Sequence, residues 1–318
     1  MYRESRRSSM ITTVTLNAAI DKTYYVNQFE LGGVQRVARQ IAEPGGKGNN
    51  VAKVIKLLGG DVTASGFVAG SSGSFIESSL INRGIQTSFV RVGGESRVCL
   101  NIIDESKGTS TELLEQGHVI DDHQIAEMKQ TIHRLALECS VVVLSGSLPP
   151  GAPADLYADL IGIIKSTKAR VFLDASGAAL SSGLQARPHF VKPNEHELAG
   201  WLGQDRLIES EWAGAAQKLA DEGIGQVCVT LGDRGAIAFI DGQGYRVIPP
   251  TIRAVNTVGC GDSFVAGMAF AEERGDAPDE KLRIASAAAA ANAMSDKAGH
   301  IDYKLFQDYV KQVQVTVL

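Results

Sequence analysis

The first patterned segment of the chain is Ile11–Leu16, a run of β-branched and apolar residues that reads as a buried strand. Roughly alternating apolar and polar positions at Tyr24–Asn27 and around Val34–Ala42 predict two further short strands. The glycine-rich turn Gly45-Gly46-Lys47-Gly48 then opens a helix through Leu58, with Val51, Val54, Ile55 and Leu58 at helical spacing. Strands and helices alternate beyond it: Val62–Val68, a helix to Asn82, and Ile85–Val90. Val98–Ile103 and Ser110–Glu115 read as a hairpin around Glu105–Gly108. The rhythm resumes with a strand at Ser140–Leu144, a helix at Pro153–Lys165 and strands at Arg170–Leu173 and Phe190–Lys192. Helices near Glu195–Leu202 and Glu209–Glu222 lead to a strand at Gln226–Thr230. Three helices close the chain: Asp262–Glu273, the alanine-rich Lys281–Ser295, and Tyr303–Gln312.

This alternation predicts an α/β fold with a mainly parallel central sheet flanked by helices. The polar, alternating strands before Glu43 and after Arg97 do not suit a sheet buried on both faces. They predict a small, separate β-sheet lid, made of about residues 22–43 and 97–118. No tandem repeat or low-complexity linker divides the chain, so residues 11–318 are expected to form one domain. Met1–Met10 is polar and basic, with no apolar signal core after it; it reads as a disordered extension, with Met10 a candidate start.

Composition narrows the function classes. The 318 residues are 44% hydrophobic and 21% charged, as in an ordinary globular protein. A net charge of −5 argues against a general nucleic-acid binder but leaves room for a small phosphorylated ligand, which needs only a few local cations. No apolar run approaches the roughly 20 residues needed to span a bilayer. Cys99, Cys139, Cys228 and Cys260 lie far apart, with no CxxC pair and no His at ligand spacing. That suits a reducing cytoplasm and speaks against structural zinc.

Four segments carry candidate chemistry. In Val258-Gly259-Cys260-Gly261-Asp262-Ser263, two glycines open a helix whose first N–H groups would gather an anion. Asp262 beside a transferring phosphoryl group could take a proton from an attacking hydroxyl; taken alone, the segment reads equally well as a capped helix start. Pro44-Gly45-Gly46-Lys47-Gly48-Asn49-Asn50 is a second glycine-rich helix start. Gly48 after Lys47 excludes a Walker A loop, and neither loop has the G-x-G-x-x-G spacing of a dinucleotide fold. In Lys192-Pro193-Asn194-Glu195-His196-Glu197, Asn194 and Glu197 share a helix face. Glu197 is a candidate Mg²⁺ holder through water and Asn194 a candidate phosphate donor, although a plain acidic helix start has the same pattern. Thr230-Leu231-Gly232-Asp233-Arg234-Gly235 follows a strand and suits either a nucleotide or a hairpin turn.

Taken together, and in this order, these segments resemble the ribokinase-like sugar kinases of the phosphofructokinase-B type. The resemblance extends across nearly the whole chain from Ile11. It includes Thr15-Leu16-Asn17-Ala18-Ala19-Ile20-Asp21 and Ser145-Gly146-Ser147-Leu148-Pro149. It implies ATP and Mg²⁺ as cofactors and Asp262 as base, with Gly259, Cys260 and Gly261 forming the anion hole. Asp21 would bond sugar hydroxyls, with Gly45, Gly46, Asn50 and Ser145 completing that end of the pocket. Lys47, Arg97 and Arg36 would meet the phosphate already on the substrate. Lys192, Asn194 and Glu197 would manage the ATP phosphates and Mg²⁺, and Thr230, Gly232, Gly235 and Asn292 would line the nucleotide. A homodimer through the lid is implied as well.

Glu95-Ser96-Arg97-Val98-Cys99, Thr111–Gly117 and Ala298–Asp302 are most similar to tagatose-6-phosphate kinases. The 1-phosphofructokinases share most of the frame, so fructose 1-phosphate stands as the alternative substrate. A non-catalytic sugar-phosphate sensor is disfavoured by the presence of Asp262. Two residues depart from the family pattern. Cys260 stands where a small residue is usual, and its place at a helix start predicts a thiol of lowered pKa. His118 follows Gly117 where relatives commonly have proline, a change expected to affect only a lid turn.

Overall fold

The computed structural model describes residues 10–318, so the expected extension lies, apart from Met10, outside the described residues. The first half of the chain gives β1 (Ile11–Thr15), β2 (Ala19–Val26), β3 (Arg39–Gly45), α1 (Lys47–Leu57), β4 (Val62–Ala69), α2 (Gly70–Ile81) and β5 (Gln86–Val92). It continues with β6 (Arg97–Asp104), β7 (Thr109–Leu114), α3 (Asp122–Ala136), β8 (Val141–Ser145), α4 (Leu156–Lys165), β9 (Arg170–Asp174) and α5 (Gly177–Gln185). Next are β10 (Phe190–Val191), α6 (Glu195–Trp201), α7 (Glu209–Asp221), β11 (Gln226–Thr230), β12 (Ala236–Ile240) and β13 (Gln243–Ile248). The last elements are α8 (Cys260–Arg274), α9 (Pro278–Ala293), α10 (Tyr303–Val310) and β14 (Gln314–Val317).

Ten strands form the main sheet in the order β14-β13-β12-β11-β10-β9-β8-β1-β4-β5. From β5 to β11 every pairing is parallel, and β12, β13 and β14 join antiparallel at one edge. Both faces are covered, which is why β1, β4 and β8 are buried at every position rather than alternating. In β8, Val141 and Val143 face the layer of α1, α8 and α9, while Val142 and Leu144 face α3 and α4. Each such fully buried side chain contributes about 1.5–3 kcal/mol.

The small sheet has the order β3-β2-β6-β7, with β2 and β6 parallel and the outer pairs antiparallel. It is built from two chain segments, as the alternating pattern implies, but its strands span residues 19–45 and 97–114. β2 begins five residues before the expected Tyr24, and 34–38 is loop rather than strand. Two helices and three strands are additions to the expected pattern: α3, α5, β12, β13 and β14. The start of α3 was marked in sequence by Asp121 and Gln124, which cap each other's backbone N–H groups. Its buried stripe is Ile125, Met128, Ile132 and Leu135. Among the described residues no helix is long and apolar enough to cross a membrane.

Candidate active site

Between the small sheet and the carboxyl ends of β1, β8, β9, β10 and β11 lies a cleft of about 1290 Å³. Ligands of open α/β sheets bind outside these strand ends. The cleft has one end under the small sheet and a second bordered by Thr230, Gly232 and Gly235. Asp262 sits where the two meet.

Asp262 is the third residue of α8 and only 6% exposed. Its Oδ2 accepts a hydrogen bond of 2.8 Å from Asn50 Nδ2, at the start of α1. Burial pushes its carboxyl up to about 6; nearby Lys47, the Asn50 bond and Lys192 pull the other way. A carboxylate so poised is ionised at neutral pH yet basic enough to accept a proton. Gly259 caps α8 at φ +82°, a left-handed conformation, and a side chain there would meet Gly299 N at 2.9 Å. Among the described residues the Gly259, Gly261 and Asp262 N–H groups at this helix start have no protein acceptor, whereas the Cys260 N–H, expected to share the anion hole, donates to Thr257 O at 3.3 Å.

Asp174, at the end of β9, is fully buried and bridges two lysines: Lys47 Nζ at 3.3 Å and Lys192 Nζ at 3.4 Å. Burial opposes its ionisation, but Lys192 and Lys47 outweigh that and hold the carboxyl below the usual range. In turn Asp174 holds the Lys47 ammonium well above its ordinary value. Lys192 lies over the start of α8, where a side chain at Gly261 would come within 3.3 Å of Nζ. Sequence reasoning missed Asp174; its signal was a carboxylate ending an otherwise apolar strand, Val171-Phe172-Leu173-Asp174.

At the end under the small sheet, burial raises the Asp21 carboxyl on β2 above the ordinary range, against the pull of Lys53 and Arg97. Gly45 does not line the cleft; it makes room for Asp21, whose carboxyl occupies the space that a Cβ at that position would need. Arg97 donates from Nε to Asn17 O at 3.1 Å and from Nη1 to Glu115 O at 3.2 Å, so it reaches the cleft from the base of the small sheet. Ser145 borders the cleft floor with its buried hydroxyl unpartnered. Lys53 was also missed, a lone lysine in the buried stripe of α1. It is 5% exposed, borders the same end, and burial lowers its ammonium to about 8.

Several expectations change. Asn194 and Glu197 form a reciprocal cap on α6, each side chain accepting the other's backbone N–H at 2.8 Å. Both still border the cleft, but their cap-bound oxygens are committed to the helix. Arg36 lies exposed in the β2–β3 loop, outside the cleft of its own chain. Asn292, expected to line the nucleotide, does not border the cleft; it is fully buried, and its amide bonds backbone of the neighbouring loops. The Cys260 thiol is raised, not lowered: burial outweighs the Asn292 hydrogen bond. Among the described residues no three His, Cys, Asp or Glu side chains are placed to hold a metal.

The pattern of pfkB family carbohydrate kinases matches residues 14–302. A tagatose-6-phosphate kinase of Staphylococcus epidermidis is 37% identical over 310 residues, covering 96% of this chain and 99% of that protein. Phosphofructokinase-2 from Escherichia coli in complex with fructose-6-phosphate superposes with a TM-score of 0.89 at 26% identity, covering 96% and 99% of the two chains. Its tetrameric inhibited form gives 0.90 at 27% identity, with the same coverage. Together with the cleft just described, these likenesses place the chain in the pfkB family of carbohydrate kinases.

Proposed function

We propose that the chain transfers the γ-phosphoryl group of ATP to a free primary hydroxyl of a ketohexose phosphate, with tagatose 6-phosphate as substrate and a 1,6-bisphosphate as product. The observation that carries this reading is Asp262: a buried carboxylate titrating at about 6, bonded to Asn50, at the junction of the two ends of the cleft. Asp262 accepts the proton of the attacking hydroxyl as the new O–P bond forms, and the bond from the γ-phosphorus to the bridging oxygen breaks with its electron pair leaving on ADP. The N–H groups at the start of α8 and the Lys192 ammonium stabilise charge on the moving phosphoryl group. Asp21, Asn50 and Ser145 orient sugar hydroxyls, and Lys47 and Arg97 supply cations for the substrate phosphate.

The donor set suits a Mg²⁺ ion that arrives on the nucleotide, which needs one or two carboxylates rather than an all-protein cage. Glu197 would hold it through water, and the ion would neutralise charge on the phosphates. Closure of the small sheet over the cleft would exclude water and limit ATP hydrolysis. Leu31, Val34, Leu113 and Leu114 are exposed on that sheet and its loop, so a homodimer through the lid belongs to the same reading. Four unpaired cysteines suit a reducing cytoplasm.

The test is kcat/KM with Mg·ATP for tagatose 6-phosphate, fructose 1-phosphate and fructose 6-phosphate. A lead of about tenfold, worth about 1.4 kcal/mol, for tagatose 6-phosphate supports the substrate assignment. A lead for fructose 1-phosphate transfers it to the alternative, 1-phosphofructokinase activity. No turnover of any of the three removes the kinase reading.

A further inference from the structure

α9 is a helix of small residues packed against α8, and most of its inner positions are alanine. Asn292 interrupts that surface near its last turn, fully buried. A carboxamide hidden from water is costly unless its hydrogen bonds are made. Here all four are: Nδ2 donates to Val258 O at 2.9 Å and to Cys260 Sγ at 3.5 Å. Oδ1 accepts from Gly299 N at 2.8 Å and His300 N at 3.3 Å. One side chain thus satisfies its full inventory on two loops, the one entering α8 and the one leaving α9. Lys53 holds the second loop from its other side, donating to Ala298 O at 2.9 Å.

The bond to Val258 has a directional consequence. In a trans peptide the C=O and the following N–H point in opposite directions. With Val258 C=O drawn inward by Asn292, the Gly259 N–H points outward, and among the described residues it has no protein acceptor. We propose that Asn292 is a positioning residue that fixes the Val258–Gly259 peptide, so that Gly259 N–H faces the cleft as a phosphoryl-oxygen donor. Asn292 never touches substrate; it acts through the loop. This rests on the phosphoryl-transfer reading, because only that reading gives the outward N–H a task.

The test combines kinetics with residue-resolved amide exchange. Asn292→Leu keeps the side chain's approximate volume and removes both halves of the clamp. It is expected to lower kcat about 10- to 100-fold, the scale for loss of one oxyanion donor, while KM for the sugar phosphate stays within about twofold. Unchanged kcat in the folded variant overturns the proposal, as does a KM rise with kcat intact. Should the variant not fold, wild-type protein still decides the matter. Gly259 N–H is expected to exchange fast in the free protein and at least about tenfold more slowly with a non-hydrolysable Mg·ATP analogue bound. Protection of Gly259 before the analogue is added, or none after, overturns the proposal. Failure of the phosphoryl-transfer reading looks different: wild-type protein that turns over no sugar phosphate.

Discussion

Replacing Asp262 by Asn should damage catalysis and strengthen the fold at once. The side chains are nearly isosteric, and the Asn50 hydrogen bond survives if the new carbonyl oxygen accepts it in place of Oδ2. What disappears is a proton acceptor and a buried negative charge. The catalytic loss should be about two to four orders of magnitude in kcat, the scale of general-base catalysis. The stability gain follows from linkage. The folded carboxyl titrates at about 6 against an ordinary 3.8, so the folded state binds more protons than the unfolded one between those values. Ionised Asp262 therefore destabilises the fold; the penalty is absent below the unfolded value, grows through the window and is complete above pH 6. Integrated for a single site, it is about 3 kcal/mol at pH 8 and roughly half that at pH 5. For a chain of this length that corresponds to about 4 °C in Tm at pH 8. Thermal melts of both proteins at pH 5 and pH 8, beside single-substrate kinetics, measure the two effects. Near-normal turnover refutes Asp262 as the base. A variant no more stable than wild type at pH 8 refutes burial as the source of the raised carboxyl.

Other perturbations separate the remaining groups. Asp174→Asn strands Lys47 and Lys192 without their shared counter-ion and should cost about 3 kcal/mol or more in urea denaturation, with reduced kcat; wild-type stability would mean the triad carries no weight. Arg97→Ala should raise KM for the sugar phosphate about tenfold or more with little change in KM for ATP, and an unaltered sugar KM would place the substrate phosphate elsewhere. Alkylation of Cys260 should be slow at pH 7, quicken as pH rises toward 9, and be blocked by Mg·ATP, because burial holds the thiol protonated. Full activity after complete, mass-verified modification would mean that the adduct does not enter the cleft.

The parts of this molecule that sequence revealed are those whose physics is local. β1 announced itself as a β-branched run and β8 as an apolar one, and the starts of α1 and α8 as glycine turns followed by helical spacing. Asp262 and Asn50 lie 212 positions apart, yet each stood in its own recognisable segment. Asp174 and Lys53 had no such setting; their meaning comes from Lys192, Lys47 and Ala298, which only the folded chain brings near. Asn292 misled for the opposite reason: family resemblance supplied a ligand role, whereas the backbone of two loops and the Cys260 sulfur take its whole amide. Glu197 fits both patterns, since a capping box and a metal holder put the same residue type at the same offset, and the cap uses only its Oε2.

The small sheet also constrains the order of assembly. Its two hairpins are joined only through the parallel pairing of β2 with β6, Ala19 with Arg97 through Val26 with Asp104. Between them in the chain lie α1, β4, α2 and β5, all part of the main layer. Closing that pairing over a disordered intervening segment would carry a large entropic cost; once the segment has folded, its ends are already close. The half of the cleft under the small sheet is thus expected to be completed late in folding, on a finished scaffold, and to open and re-form without disturbing β9 and β10, which lead to Asp174 and Lys192.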